Sequence, residues 1–224
     1  MADTTPRIAI IHALQDSQVP TWTAFRNGWP EAKIFNLMDD SLPRDLLVDG
    51  MEPLKERFLR LGRYAADSHA GSHRTDAILF SCSAFGPALQ AVQAALPIPV
   101  LRPNEAAFEE ALQAGQRIGL MTSFGPAIPP LKAEMKEMAR AQGRNPEIVT
   151  AVAEGALEAL QAGRPEEHDR IAAETASRLP ALDVLVLGQF SLARAATGIK
   201  ARTGLHVITT PDSAVRKLRR VLNS

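Results

Sequence analysis

Three stretches of this chain recur in the same order, and that internal repeat constrains the fold more than any other feature. Asp76-Ala-Ile-Leu-Phe-Ser-Cys-Ser-Ala-Phe lies over Asp183-Val-Leu-Val-Leu-Gly-Gln-Phe-Ser-Leu at a shift of 107 residues. Arg7-Ile-Ala-Ile-Ile-His-Ala-Leu lies over Arg117-Ile-Gly-Leu-Met-Thr-Ser-Phe at a shift of 110. Val100-Leu-Arg-Pro-Asn-Glu-Ala matches Val207-Ile-Thr-Thr-Pro-Asp-Ser-Ala at 107, with one residue inserted. Strand-to-helix junctions share a vocabulary, so one match carries little. Three in order at nearly one spacing point to a duplication.

Each repeat is built from short β-branched runs alternating with Ala/Leu/Glu-rich stretches, the pattern of βα units around a parallel sheet. Strands are expected at 7–11, 33–36, 76–80, 99–101, 117–122, 147–149, 183–187 and 205–209. Helices are expected at about 51–69, 87–95, 105–114, 126–142, 165–179, 192–202 and 213–222, with 70–73 and 141–144 as loops. The fold class expected is α/β: two pseudo-symmetric Rossmann-like lobes, each a parallel sheet flanked by helices. Lobe 1 takes residues 1–102 plus 205–224 and lobe 2 takes 103–204. Ligands of open parallel sheets bind beyond the carboxyl ends of the strands. Two such lobes are therefore expected to form an interlobe cleft, with Cys82 on one wall and its counterpart Gln189 on the other.

Composition narrows the function. Twenty-five basic and twenty-five acidic residues leave no net charge, which gives no basic footprint for nucleic acid or a membrane surface. The longest apolar runs fall far short of the roughly 20 residues of a spanning helix. The N-terminus, interrupted by Asp3 and Arg7, does not read as a secretory signal. A single cysteine, Cys82, excludes an internal disulfide and suits a reducing, cytoplasmic setting. Nucleotide-binding glycine loops are missing from the sequence.

Cys82 follows an apolar strand and precedes a helix, in Phe80-Ser-Cys-Ser-Ala-Phe-Gly-Pro. A thiol near a helix N-terminus has its thiolate stabilised by the free N–H groups there, and such a group serves as acid, base or nucleophile. The plainer reading, a small buried hydrophobe, stays open beside it.

Taken together, Ser81-Cys82-Ser83 after its strand, Val186-Leu187-Gly188 ending the second, Pro103-Asn-Glu-Ala-Ala107 and the repeated halves resemble the aspartate/glutamate racemase superfamily. That group includes hydantoin and allantoin racemases, maleate isomerase and arylmalonate decarboxylase. The resemblance implies a two-lobed α/β enzyme without a cofactor, often dimeric, in which one cysteine from each lobe flanks the substrate stereocentre. One cysteine takes the α-proton and the other returns a proton to the opposite face. This chain departs from the pattern: where the family reads Leu-Gly-Cys it has Leu187-Gly188-Gln189. A carboxamide does not titrate, so two-base racemisation by Cys82 and Gln189 is disfavoured. Three reactions remain for a lone thiol: decarboxylation with protonation on one face, isomerisation or elimination through a single base, and covalent addition. Gln189 then stands as a hydrogen-bond donor to a substrate oxygen, or as a plain helix cap.

Further candidates lie at the same strand ends. Ser83, Ala84 and the N–H groups around Cys82, with Thr122, Ser123 and Phe124, are candidates for an oxyanion pocket that stabilises an enolate-like intermediate. The resemblance supports Ser83 and Thr122 in this role. Arylmalonate decarboxylase places a tyrosine near the position of Phe124, which counts against transferring its activity directly. Ordinary N-caps are the alternative for the Ser and Thr residues. Phe190 and Ser191 follow Gln189 as substrate-facing candidates. His12, at the end of the first strand, is a candidate catalytic acid or base, with Asp16 in the following loop as a substrate contact. Asn36 with Asp39 and Asp40 reads as a turn and helix cap, so no metal is expected.

The function expected is proton transfer at the α-carbon of a small carboxylate or carbonyl compound, by a one-cysteine isomerase or decarboxylase/lyase. The alternative is a non-catalytic small-acid binder on the same fold. No nucleic acid or membrane partner is expected, and a homodimer or higher homo-oligomer is. A catalytic thiol is expected to titrate below about 8.5, whereas a binder has no need of that.

Overall fold

The computed structural model describes residues 5–223. The chain divides into two compact units: one runs through Pro103 and resumes at Ala214, and the other is Asn104–Ser213.

In the first unit, β1 (Arg7–His12), β2 (Lys33–Met38), β5 (Ala77–Phe80) and β6 (Val100–Leu101) form a wholly parallel sheet in the order β2-β1-β5-β6. The central strands are apolar without alternation because both faces are covered: Ile8, Ala9, Ile10, Ala77, Ile78 and Leu79 have no exposed surface. The helices are α1 (Gln18–Gly28), α2 (Leu42–Asp49), α3 (Met51–Asp67) and α4 (Gly86–Ala95). The two-residue strands β3 (His69–Ala70) and β4 (His73–Arg74) pair as an antiparallel hairpin. Its turn needs Gly71, at φ 62°. Phe58 of α3 stacks at 4.8 Å on Phe85 and 5.7 Å on Phe80, and Cys82 packs against that cluster. Arg57 of α3 donates to Asp39, Ser41 and Asp45, which fixes the turn after β2.

The second unit repeats this plan. After α5 (Glu105–Ala114), strands β7 (Arg117–Thr122), β8 (Glu147–Val152), β9 (Val184–Leu187) and β10 (Val207–Thr209) form a second wholly parallel sheet, ordered β10-β9-β7-β8. Helices α6 (Ile128–Ala141), α7 (Ala156–Gln161), α8 (Pro165–Ser177) and α9 (Ala196–Thr203) accompany it, and α10 (Thr210–Leu222) closes the chain. The β7–β9 pairing of Ile118 with Val184 repeats the β1–β5 pairing of Ile8 with Ala77, at the shifts of 110 and 107 seen in the sequence. The β9–β10 pairing of Leu185 with Val207 likewise repeats Ile78 with Val100. Matching side chains do matching work. Asp76 Oδ2 accepts the Arg7 backbone N–H at 2.7 Å, and Asp183 Oδ2 accepts that of Arg117 at 2.8 Å.

The expected α/β class and all eight principal strands are present. The boundary differs at the C-terminus: β10 belongs to the second sheet, and only the chain from Ala214 joins the first unit. The reason is the repeat itself, since β10 is the second-half equivalent of β6 and takes that edge position beside β9. Residues 70–73, expected as a loop, are the turn of the β3–β4 hairpin. Helices α1, α2 and α7 were not anticipated.

Candidate active site

In the first unit the carboxyl ends of β1, β2 and β5 lie side by side. Phe80 ends β5, and Ser81 continues its pairing by donating its backbone N–H to Ile11 O at 3.1 Å. Cys82 comes next, in extended backbone at φ −118°, and caps a single 3-10 turn, Ser83–Phe85. Ser83 is partly exposed and Ala84 exposed, while Phe85 turns into the core. Two effects therefore act on the thiol in opposite directions. The Ala84 N–H favours the thiolate, but burial disfavours it and outweighs that bond, pushing the thiol up to about 11. Part of Cys82 remains accessible. The apolar cluster behind it nonetheless withholds the solvation a thiolate needs. Burial thus works against the depressed thiol expected of a catalytic cysteine: the helix-terminus argument had the right direction for the N–H contribution and omitted the larger cost of burial.

His12 has no exposed surface, and both ring nitrogens are engaged. Nε2 lies 2.9 Å from Asn36 Oδ1, which also accepts the Trp22 indole N–H at 3.2 Å. Nδ1 lies 2.8 Å from the hydroxyls of both Ser17 and Ser81. Burial lowers the His12 pKa, against a smaller opposing effect of the Asn36 bond, so the ring is neutral near pH 7. Asp16 is half-buried in the 3-10 turn Gln15–Ser17 that carries Ser17. Among these partners Ser81 and Trp22 were not singled out as contacts. Nothing local announces them, because the His12–Ser81 bond joins residues 69 apart in sequence.

In the second unit the corresponding strand ends are joined differently. Gly188 donates its N–H to Met121 O at 2.8 Å, the counterpart of the Ser81–Ile11 bond. A side chain there would be crowded, since a Cβ would sit 3.0 Å from Leu120 and 3.3 Å from the Met121 carbonyl. Gln189 then turns its side chain to Ser123: Oε1 accepts the Ser123 backbone N–H at 2.5 Å and its hydroxyl at 2.9 Å. An oxygen held by two donors fixes the orientation of the amide, and the Nε2 group is left to present its two N–H donors elsewhere. Thr122 is buried and spends its hydroxyl on the Phe124 carbonyl at 3.1 Å. Phe124 is 48% exposed, while Phe190 and Ser191 are buried. Of the residues expected at a site, the structure gathers Cys82, Ser83 and Ala84 in one turn, with His12 and Asp16 tied to the neighbouring strand end. It gathers Gln189, Ser123 and Thr122 in the second unit.

Asp39 is committed to Arg57. Among the described residues no three His, Cys, Asp or Glu side chains converge as a metal-ligand set, and no helix is long and apolar enough to cross a membrane.

A sequence-family profile described as Asp/Glu/Hydantoin racemase matches residues 59–218. No curated protein sequence matches the chain. Among solved structures, an isoform of glutamate racemase from Bacillus anthracis matches with a TM-score of 0.73 at 14% identity, over 99% of this chain and 83% of that one. An aspartate racemase homologue from Pyrococcus horikoshii matches with a TM-score of 0.72 at 15% identity, over 97% and 99%. Allantoin racemase from Pseudomonas fluorescens gives 0.70 at 18% identity, over 97% and 91%. At such identities these structures establish the fold, and the profile, spanning most of the chain, establishes the kinship: the protein belongs to the Asp/Glu/hydantoin racemase family.

Proposed function

We propose that the protein is a cofactor-independent racemase-family enzyme that moves a proton at the α-carbon of a small carboxylate or carbonyl compound, with Cys82 as its one thiol. The observation that carries this reading is the contrast between the two strand ends. One carries a titratable thiol. The other, where the family pattern has its second cysteine, carries a carboxamide whose oxygen is already held by Ser123.

A thiol with a pKa of about 11 is ionised to only about one part in ten thousand at pH 7. It therefore rests as a proton donor, which favours decarboxylation among the reactions open to a lone thiol. Loss of carbon dioxide leaves the bonding electron pair on the α-carbon without any base. The Cys82 S–H proton then passes to that carbon, and water returns a proton to the sulfur. The Gln189 Nε2 hydrogens are donors suited to a carboxylate or carbonyl oxygen. An isomerase reaction needs the thiolate first, so it calls for a substrate whose binding lowers the thiol pKa.

The raised thiol also favours a second reading, a small-acid binder without turnover. Incubation in D2O with aspartate, glutamate, hydantoins, allantoin, maleate and substituted malonates separates the two. Deuterium uptake or carbon dioxide loss that falls by about 10²- to 10⁴-fold in Cys82→Ala is expected of the enzyme. Binding without turnover in wild type and variant alike is expected of the binder.

A further inference from the structure

We infer that His12 is a positioning residue for the Cys82 loop: through its Nδ1 contact with Ser81 it holds the end of β5 from which Cys82 emerges. This rests on the proposed role of Cys82, but its test does not depend on turnover.

The two sides of the ring do separate jobs. An indole N–H can only donate, so the Asn36 atom facing Trp22 at 3.2 Å is the amide oxygen. The same oxygen lies 2.9 Å from His12 Nε2, which must therefore be the donor. In the neutral ring Nδ1 is then an acceptor. Of the two hydroxyls facing it, Ser17 already donates to Leu14 O at 2.7 Å. Ser81 also faces Ile11 O, but at 3.5 Å, so its proton goes to Nδ1 at 2.8 Å, with the Ser17 oxygen 2.9 Å from it. Thus Nε2 ties β1 to β2 and α1, and Nδ1 ties β1 to the residue immediately before Cys82.

Ser81 and Cys82 face opposite sides of the extended chain. Ser81 turns toward His12, while Cys82 packs against the hydrophobic core of the first unit. No hydrogen bond joins the ring to the sulfur among those described, so His12 acts on the thiol through the backbone of Ser81. Anchoring that residue sets the depth at which Cys82 enters the apolar cluster and the reach of the Ala84 N–H. The second unit has no equivalent: Thr122 occupies the position of His12, Gly188 that of Ser81, and Ser123 grips the Gln189 side chain itself.

Two substitutions divide the ring. Asn places an amide where Nδ1 stood and keeps a partner for Ser81. Gln reaches the Nε2 position and keeps the Asn36 bond. The measurements are iodoacetamide alkylation of Cys82 at pH 8, turnover and thermal midpoint for His12→Asn, His12→Gln and Ser81→Ala. Alkylation within about twofold of wild type is expected for His12→Asn. A rate about fivefold higher is expected for His12→Gln and Ser81→Ala, as losing one hydrogen bond loosens the loop and admits water to the thiol. The two His12 variants should have similar thermal midpoints. Unchanged alkylation in all three, or rates that merely follow the midpoints, overturns the inference. Wild-type alkylation with abolished turnover in His12→Asn also overturns it and makes His12 a catalytic group. Failure to find a substrate counts against the proposed function, and the alkylation comparison still stands.

Discussion

Because Cys82 is the only cysteine, its titration can be followed without a background, and the structure sets the magnitude. The thiol lies against the hydrophobic core of the first unit, and burial outweighs the single Ala84 N–H that favours the anion, carrying the pKa from 9.0 to about 11. At pH 8 an ordinary thiol of pKa 9.0 is about one-tenth ionised, whereas Cys82 is ionised to about one part in a thousand. Alkylation should therefore run about 100-fold slower than for a short peptide thiol at that pH, with a rate still climbing at pH 10. Stability follows by linkage. The folded state keeps its proton after the unfolded chain has lost one, so the folded state binds more protons between pH 9 and 11 and stability falls as pH rises through that window. Two units correspond to at most roughly 3 kcal/mol, fully present below pH 9. The assay is iodoacetamide kinetics from pH 7 to 11 with urea unfolding at the same pH values, against Cys82→Ser for the unfolding series. An alkylation midpoint at or below 9, or wild-type and variant stabilities that run parallel above pH 9, refutes the burial argument. It would restore the thiolate expected from the turn's N–H groups alone.

Two other outcomes follow from close contacts. Gln189→Glu keeps an oxygen for Ser123 but turns a second, negative oxygen outward in place of the amide donors. KM for a carboxylate substrate should rise about 10- to 100-fold with the thermal midpoint little changed, and unaltered kinetics would remove Gln189 from substrate binding. Gly62→Ala in α3 should lower stability by about 1–3 kcal/mol, despite the helix propensity of Ala, because the new Cβ lies 2.6 Å from Val92 Cγ1 of α4. Urea unfolding of this variant, alone and with Val92→Ala, checks it; the second change should recover part of the loss.

The architecture was legible because its strands are apolar throughout and its repeat is encoded in register. Asp76 and Asp183, Arg7 and Arg117 mark equivalent corners, and the same backbone bond forms at both. What escaped had no local signature. In α1, Val19, Pro20, Thr21 and Thr23 are weak helix formers. The helix exists because tertiary packing buries Thr21, Ala24 and Phe25. The His12 knot and the Arg57 clamp join residues distant in sequence, so their residue types were visible and their partners were not. The rise of the thiol escaped for a related reason: its helix-terminal setting is local, but the core that withholds solvent draws on Leu54 and Phe58 of another helix. The return of the chain after Ala214 was expected one strand too early.

The single-thiol claim is tested most directly by the configuration of product formed in D2O. For whichever compound in the panel turns over, the product should carry one deuterium at the α-carbon in a single configuration, and Cys82→Ala should lose that reaction by about 10²-fold or more. Product of both configurations, each deuterated, or deuteration that survives in Cys82→Ala, would show a second proton-transfer group and contradict the account.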